Sequence, residues 1–203
     1  MKKLFVLIGS ALSLTIVNGQ AYKENFVYGN LALSTLGNYT VLNTGINYIH
    51  KGYSLEFGYS HLYRKSPSTP DDFDPWLDLY PLPPNQGSYY DQLRSAELLF
   101  GKVINTRSEL VRFNLKAGLI HSRITKVVNW RKESTLTTLG SYDYYDYDLK
   151  NYQRLGFVIK PTIEFPFFQV VGLSVSPYAV LNNKAQAYGM QMNFLLGYLR
   201  YKE

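Results

Sequence analysis

Apolar and polar side chains alternate with period two along eight stretches of this chain. They run roughly from Phe26 to Ser34, Thr40 to His50, Tyr53 to Tyr63, Leu93 to Val103, Leu110 to Ser122, Tyr152 to Phe165, Leu173 to Leu181, and Ala187 to Leu199. Successive residues of a β-strand point to opposite faces, so each stretch predicts a strand with two unlike sides. The first alternates least sharply, with Val27, Gly29, Leu31 and Leu33 set against Tyr28, Asn30 and Ala32. The links between stretches alternate in length. Lys51-Gly52, Asn105 to Ser108 and Pro166 to Val171 are short, while Arg64 to Gln92 and Arg123 to Asn151 read as long loops. The remaining links on the side of the long loops, near Gly37-Asn38 and Asn182-Asn183, are brief. Short turns below and longer loops outside are the order of an even-stranded barrel with both ends in the periplasm. The pattern therefore predicts an all-β fold, an eight-stranded antiparallel up-and-down transmembrane β-barrel.

Alternation alone does not say which face meets water. The apolar face carries Tyr53, Leu55, Phe57 and Tyr59; Val111, Phe113, Leu115 and Leu119; Leu155, Phe157, Ile159, Ile163 and Phe165; and Tyr188, Met190, Met192, Phe194, Leu196 and Tyr198. In a soluble lipocalin-like barrel that face would point inward, and an eight-stranded barrel has an interior only just wide enough for its own side chains. The opposite face offers Asn43, Gly45, Asn47, Ser54, Gly58, Ser60, Ser95, Gly101, Asn114 and Gly118, which suit a crowded polar lumen. A two-sheet sandwich would also have one wet face, but it has no need of aromatics at both ends of an apolar stripe, as Tyr53 with Tyr59 and Tyr188 with Tyr198 provide. Such flanks match interfacial girdles. The orientation expected is greasy side out.

The first residues change the setting. Lys2 and Lys3 precede an apolar run from Leu4 to Val17 and the small residues before Ala21, the layout of a secretory signal over residues 1–20, leaving 21–203 as the barrel. Removing it takes two lysines from a formal +6, leaving 19 bases against 15 acids, or +4, a balance that points to no nucleic-acid partner. With no cysteine, neither a disulfide nor a thiolate metal site is available. The 19 Tyr, 11 Phe and 15 Gly fit strands and tight turns, and no helical period persists for several turns.

Six ionisable residues fall on the inward face: Glu56, Glu97, Arg112, Lys116, Lys160 and Glu164. Counting up from the short turns places Arg112 and Glu164 low in neighbouring strands, and Glu97, Lys116 and Lys160 near mid-barrel with Glu56 slightly below. Ions in a low-dielectric lumen are tolerated when paired and hydrogen-bonded, so the set reads as a plug of salt bridges. A proton or ion path along the same residues is the alternative. Pro161 and Pro177 break ladder bonds inside strands, and a symmetric turn puts them opposite each other, where a bulge is expected.

The outer segments have their own chemistry. All eight Asp residues fall in the outer links by this reading, interleaved with tyrosine in Tyr142 to Asp148. Asp72, Asp74, Trp76, Tyr144, Tyr145 and Tyr147 form a candidate surface for a protein or glycan partner, or else merely keep the loops soluble. Calcium through Asp72, Asp74 and Asp78 is disfavoured, because the run lacks the Gly and distal Glu of a known loop motif. Neither metal nor cofactor is expected. Below lies a belt of bases, Arg64, Lys65, Arg94, Arg123, Lys126, Arg131, Lys132, Lys150 and Arg154, at the height of lipopolysaccharide phosphates. It is either an anchor for outer-membrane lipid or a solvated rim. Enzyme signatures fail: there is no G-x-S-x-G, H-E-x-x-H or phosphate loop. His61 and His121, the latter followed by Ser122, fall near the rim, but His121 and Ser122 are sequential and face opposite ways.

Signal, strand count, link lengths and the final amphipathic strand resemble the small outer-membrane barrels of the OmpA and OmpX kind. Tyr63-Arg64-Lys65-Ser66, and Ile163 to Pro166 through Leu173 to Pro177, are also similar to uncharacterised barrel proteins of Bacteroidota. Such barrels end on an aromatic, for which Tyr198 or Tyr201 is the nearest substitute here. The resemblance implies a monomer in the bacterial outer membrane, in contact with lipid that includes lipopolysaccharide. The function expected is a non-enzymatic surface protein displaying two long loops for adhesion, interaction or envelope integrity; a lipid-modifying rim enzyme or a narrow pore is the alternative.

Overall fold

A computed structural model describes residues 25–73, 89–106, 110–137 and 140–200. The expected signal, and Asp74, Trp76 and Asp78 with it, lie outside the described residues. Eight strands follow in chain order: β1 (Asn25–Leu36), β2 (Tyr39–His50), β3 (Tyr53–Lys65), β4 (Tyr90–Asn105), β5 (Arg112–Thr137), β6 (Gly140–Phe165), β7 (Val171–Leu181) and β8 (Gln186–Tyr198). Each pairs antiparallel with the next, and β1 pairs with β8 from Val27↔Tyr198 to Thr35↔Met190, closing the barrel. The β2–β3 turn shows how the sequence sets the register. Lys51 and Gly52 both take positive φ, 48° and 78°, the two-residue geometry whose twist matches that of the flanking strands.

Orientation follows from burial. Phe57, Phe113 and Phe157 are 63%, 39% and 64% exposed, whereas Glu97 and Lys116 are 1% and 4% exposed. A surface of bulky apolar side chains around a closed backbone ladder is compatible with hydrocarbon and not with water. The shortest strand, β7 with 11 residues, is long enough for the roughly 9–11 needed to cross a bilayer.

The lumen departs from the uniformly polar filling expected. Phe26, Tyr28, Ile49, Val103, Leu195 and Leu199 pack together at the lower end. A larger cluster that includes Leu36, Val41, Leu62, Leu93, Ile120, Ile124, Val158 and Val180 fills the upper end. The alternation broke here because only the face, and not its polarity, is fixed by period two.

Two further expectations are corrected. The segment 123–151 is not an irregular loop: β5 and β6 run on above the barrel as a two-stranded ribbon, paired from Arg112↔Glu164 to Thr137↔Gly140. Its β-branched and aromatic residues favour strand, and opposite charges face each other at Arg131↔Asp146. One bulge interrupts it between Val128 and Arg131, where Asn129 takes φ 55°, a conformation asparagine tolerates. The bulge expected at the prolines is absent. Ile159↔Ala179 and Ile163↔Val175 share one register, which sets Pro161 level with Pro177 without a shift.

The exposed belt generates a direct prediction. Phe157→Arg places a charge toward lipid and is expected to destabilise the barrel by about 2–4 kcal/mol near the bilayer midplane. Urea titration of protein folded into lipid vesicles measures it; an effect within about 0.5 kcal/mol, normal for a water-exposed site, would reverse the assigned orientation.

Candidate functional site

Between the two apolar clusters lies a band of buried polar side chains that joins strands across the lumen. At its lower edge Arg112 on β5 pairs with Glu164 on β6, Nη2 to Oε2 2.7 Å, and donates from Nη1 to the Leu199 carbonyl at 2.8 Å. Glu164 Oε1 also accepts from Tyr28 Oη at 2.7 Å and Asn114 Nδ2 at 3.1 Å. The guanidinium lies over the rings of Phe26 and Tyr28, 5.6 and 5.4 Å from their centroids, so the lower cluster and the ion pair form one packed unit.

Higher up, Glu56 on β3 is fully buried between two lysines. Lys160 Nζ donates to its Oε1 at 2.8 Å, and Lys116 Nζ donates to its Oε2. Each ammonium has a second partner: Lys116 reaches Asn47 Oδ1 at 3.2 Å and Lys160 reaches Asn43 Oδ1 at 3.3 Å. Asn30 Nδ2 completes the carboxylate at 3.1 Å. Lys116 fits because its neighbour is Gly101; a Cβ there would lie 2.6 Å from Lys116 Cγ and 2.4 Å from Ser54 Oγ.

Glu97 differs from the other acids. Sequence reasoning set three acids against three bases, but Glu97 joins no ion pair among the described residues. Its Oε1 accepts from Tyr178 Oη at 2.5 Å, and its Oε2 has no hydrogen-bond partner among them. Both mid-barrel lysines bond Glu56 instead. Asn43, Asn47 and Asn114 were placed on the polar inward face by sequence, but neither their partners nor the roles of Tyr28 and Tyr178 were legible, because these depend on which residues meet across the lumen.

Outside the barrel, the ribbon and the start of the β3–β4 connection form a second cluster. Phe73, only 8% exposed, packs against Tyr89, Trp130 and Tyr145, with centroids 5.4, 4.9 and 5.9 Å away, and Tyr147 packs on Trp130 in a tilted contact at 4.9 Å. Ser66 and Ser68 donate to the Val127 carbonyl at 3.2 and 3.0 Å. Asp91, assigned to an outer loop by sequence, is instead buried in β4, where it accepts the Val127 N–H at 3.1 Å and pairs with Arg64 at 3.4 Å. Of the expected interaction surface, Asp72, Tyr145 and Tyr147 thus join in one internal contact. Asp72 accepts from Tyr145 Oη at 2.5 Å and from Lys132 Nζ at 3.2 Å. Tyr144 lies on the opposite ribbon face and donates to Glu133 at 2.7 Å. That face also carries Arg131 with Asp146 at 2.6 Å and Asp148 at 3.3 Å.

The Tyr145 hydroxyl first, and Lys132 second, hold the Asp72 carboxyl below its ordinary range. Asn129 and then Arg131 do the same for Asp148. Among the described residues no group of three His, Cys, Asp or Glu is placed to hold a metal. His121 is exposed on the outer face, while Ser122 points inward to Ser95 Oγ at 2.9 Å, so the two share no site.

A closed antiparallel eight-stranded sheet, an apolar outer belt and a lumen filled by its own side chains are the architecture of the small outer-membrane β-barrels. No protein-family model matches the chain, and no curated protein matches it. Solved structures do. The N-terminal β-barrel domain of Pseudomonas aeruginosa OprF aligns with TM-score 0.50 and 12% identity, over 89% of this chain and 100% of that one. Ail, the attachment invasion locus protein of Yersinia pestis, aligns in its bilayer-nanodisc structure with TM-score 0.49 and 10% identity, over 86% and 100%. The OprF likeness is one of fold.

Two predictions come from this geometry. Glu56→Gln leaves two buried ammonium groups without their anion and is expected to cost roughly 3–5 kcal/mol in vesicle urea titrations, whereas replacing Glu56, Lys116 and Lys160 together by apolar residues of similar volume costs far less. The Asp72 contact is fully present above the ordinary carboxylate pKa and is lost as pH falls through the lower folded value. In a Trp76→Phe protein, Trp130 fluorescence should shift in that acid window, and the shift should vanish in Asp72→Asn.

Proposed function

We propose that this protein is a non-enzymatic surface-display barrel, a plugged outer-membrane anchor that holds a braced β-ribbon above the lipid for a protein or glycan partner. The observation that carries this is the continuation of β5 and β6. β4 pairs with β5 no further than Thr125, while β5 pairs with β6 to Thr137. The difference, 137 minus 125, is 12 residues. At about 3.3 Å per residue that is on the order of 40 Å of strand. A lone two-stranded ribbon is marginal in water. This one is stiffened on one face by the Phe73 and Trp130 cluster and by the Asp72 contacts, which leaves the Arg131, Glu133 and Tyr144 face for recognition.

The lumen supports the anchor half of the reading. Apolar clusters at both ends and a cross-linked polar band between them favour a plugged barrel over an open pore. A rim enzyme has less to support it, since His121 and Ser122 face apart.

The test shortens the ribbon. Replacing 129–147, between the paired Val128 and Asp148, by a two-residue Asn-Gly hairpin turn should leave the barrel heat-modifiable on gels, while adhesion of expressing cells to glycan and matrix-protein arrays falls to the level of cells lacking the protein. Adhesion retained by the shortened protein overturns the display reading. In planar bilayers the intact protein should give no conductance steps; regular steps would favour the pore instead.

A further inference from the structure

The outer face of β3 to β6 combines two features at the height where apolar belt gives way to polar rim. The first is a pair of like charges. Arg94 on β4 and Arg123 on β5 are direct cross-strand partners, both exposed on the outer surface. Like charges in directly opposite positions are destabilising unless something lies between them. Neither arginine joins an ion pair among the described residues, and Arg94 donates to the neutral Gln92 Oε1 at 2.8 Å. Three of the other rim bases are already matched: Arg64 with Asp91, Arg131 with Asp146 and Asp148, Lys132 with Asp72.

The second feature lies directly beneath. The register puts Ala96 opposite His121 one row nearer mid-membrane, about 6.6 Å down at two residues' rise, and Leu98 opposite Leu119 one row lower still. Ala96 is the small residue in a bulky field, and it leaves a hollow of about 150 Å³ walled by Phe57, Leu98, Leu119, His121 and Leu155. The hollow is open to the barrel surface, and its apolar walls suit a hydrocarbon segment lying along it. In the row of the arginines, His61 flanks Arg94 and Gln153 flanks Arg123, adding polar side chains around the same spot.

We infer that these rows form a binding site for one phosphorylated outer-leaflet lipid, lipopolysaccharide, with a lipid A phosphate between Arg94 and Arg123 and a segment of acyl chain in the hollow at Ala96. Charge complementarity selects the occupant. Guanidinium forks match phosphate oxygens in paired geometry, and a doubly charged phosphate relieves the repulsion between two arginines as a zwitterionic headgroup does not. The apolar hollow on the membrane side of the cations demands that the anion be attached to a hydrocarbon chain. His121 then lies at the seam between headgroup and chain. The site is independent of the ribbon and of any partner the ribbon binds.

Native mass spectrometry of the full-length protein in detergent, titrated with bisphosphorylated lipid A, reads this out. Wild type should retain one lipid A per barrel, with dephosphorylated lipid A, phosphatidylglycerol and inorganic phosphate each at least tenfold weaker. Arg94→Gln with Arg123→Gln should weaken lipid A at least tenfold, Ala96→Leu should weaken it several-fold with both arginines intact, and Arg131→Gln should leave it unchanged. Equal retention of phosphatidylglycerol or of dephosphorylated lipid A by wild type overturns the inference, as does undiminished lipid A binding in Ala96→Leu or in a heat-modifiable double arginine variant. The comparison of lipids on wild type holds even where an arginine variant fails to fold.

Discussion

A peptide N–H or C=O exposed to hydrocarbon without a partner costs several kcal/mol, and everything else in this protein follows from removing that cost. Closing β1 onto β8 gives the transmembrane part of the sheet no free edge. Closure with eight strands fixes a narrow interior, so the side chains that point inward must fill it and satisfy one another. Those that point outward are left to match lipid. The exposure of Phe57 and Phe157 and the burial of Glu56 and Lys160 are two consequences of one closed ladder.

Inside that cylinder, polarity is layered. Aliphatic and aromatic groups close the lower and upper ends, and the charged band lies between them. At its centre a buried carboxylate is held by two lysines, and each lysine also reaches an asparagine. Breaking one member leaves buried charge uncompensated, which is why the band acts as a unit. Its contacts run across the lumen between strands that are not neighbours: Tyr28 on β1 to Glu164 on β6, Tyr178 on β7 to Glu97 on β4. Such struts resist flattening of the cross-section and make the barrel a stiff base for what rises above it.

Above the barrel the rules change, because water can pair with backbone groups and a free edge is no longer forbidden. The ribbon persists there through cross-strand charge pairs on one face and an aromatic cluster on the other. Tyrosine and aspartate, which in sequence looked like a sticky surface, are in part spent on seating Phe73 and fixing Asp72. The same separation of faces operates at the rim, where Arg64 turns inward to Asp91 while Arg94 and Arg123 turn outward.

Strand number, the barrel part of each strand and the sense of in and out were legible from the chain, because a period of two is a local property and membrane thickness sets how long it must last; the extension of β5 and β6 beyond the barrel was not. Glu56, Arg112, Lys116, Lys160 and Glu164 could be assigned to the interior for the same reason. What the chain by itself left open were relations between residues far apart in sequence. That both lysines choose Glu56 and neither reaches Glu97, that Leu62 meets Val180 in an apolar stopper, and that Ala96 leaves a hollow under two arginines depend on the stagger of strands around a closed circle. Alternation decides which face a side chain joins; only closure decides what it finds there.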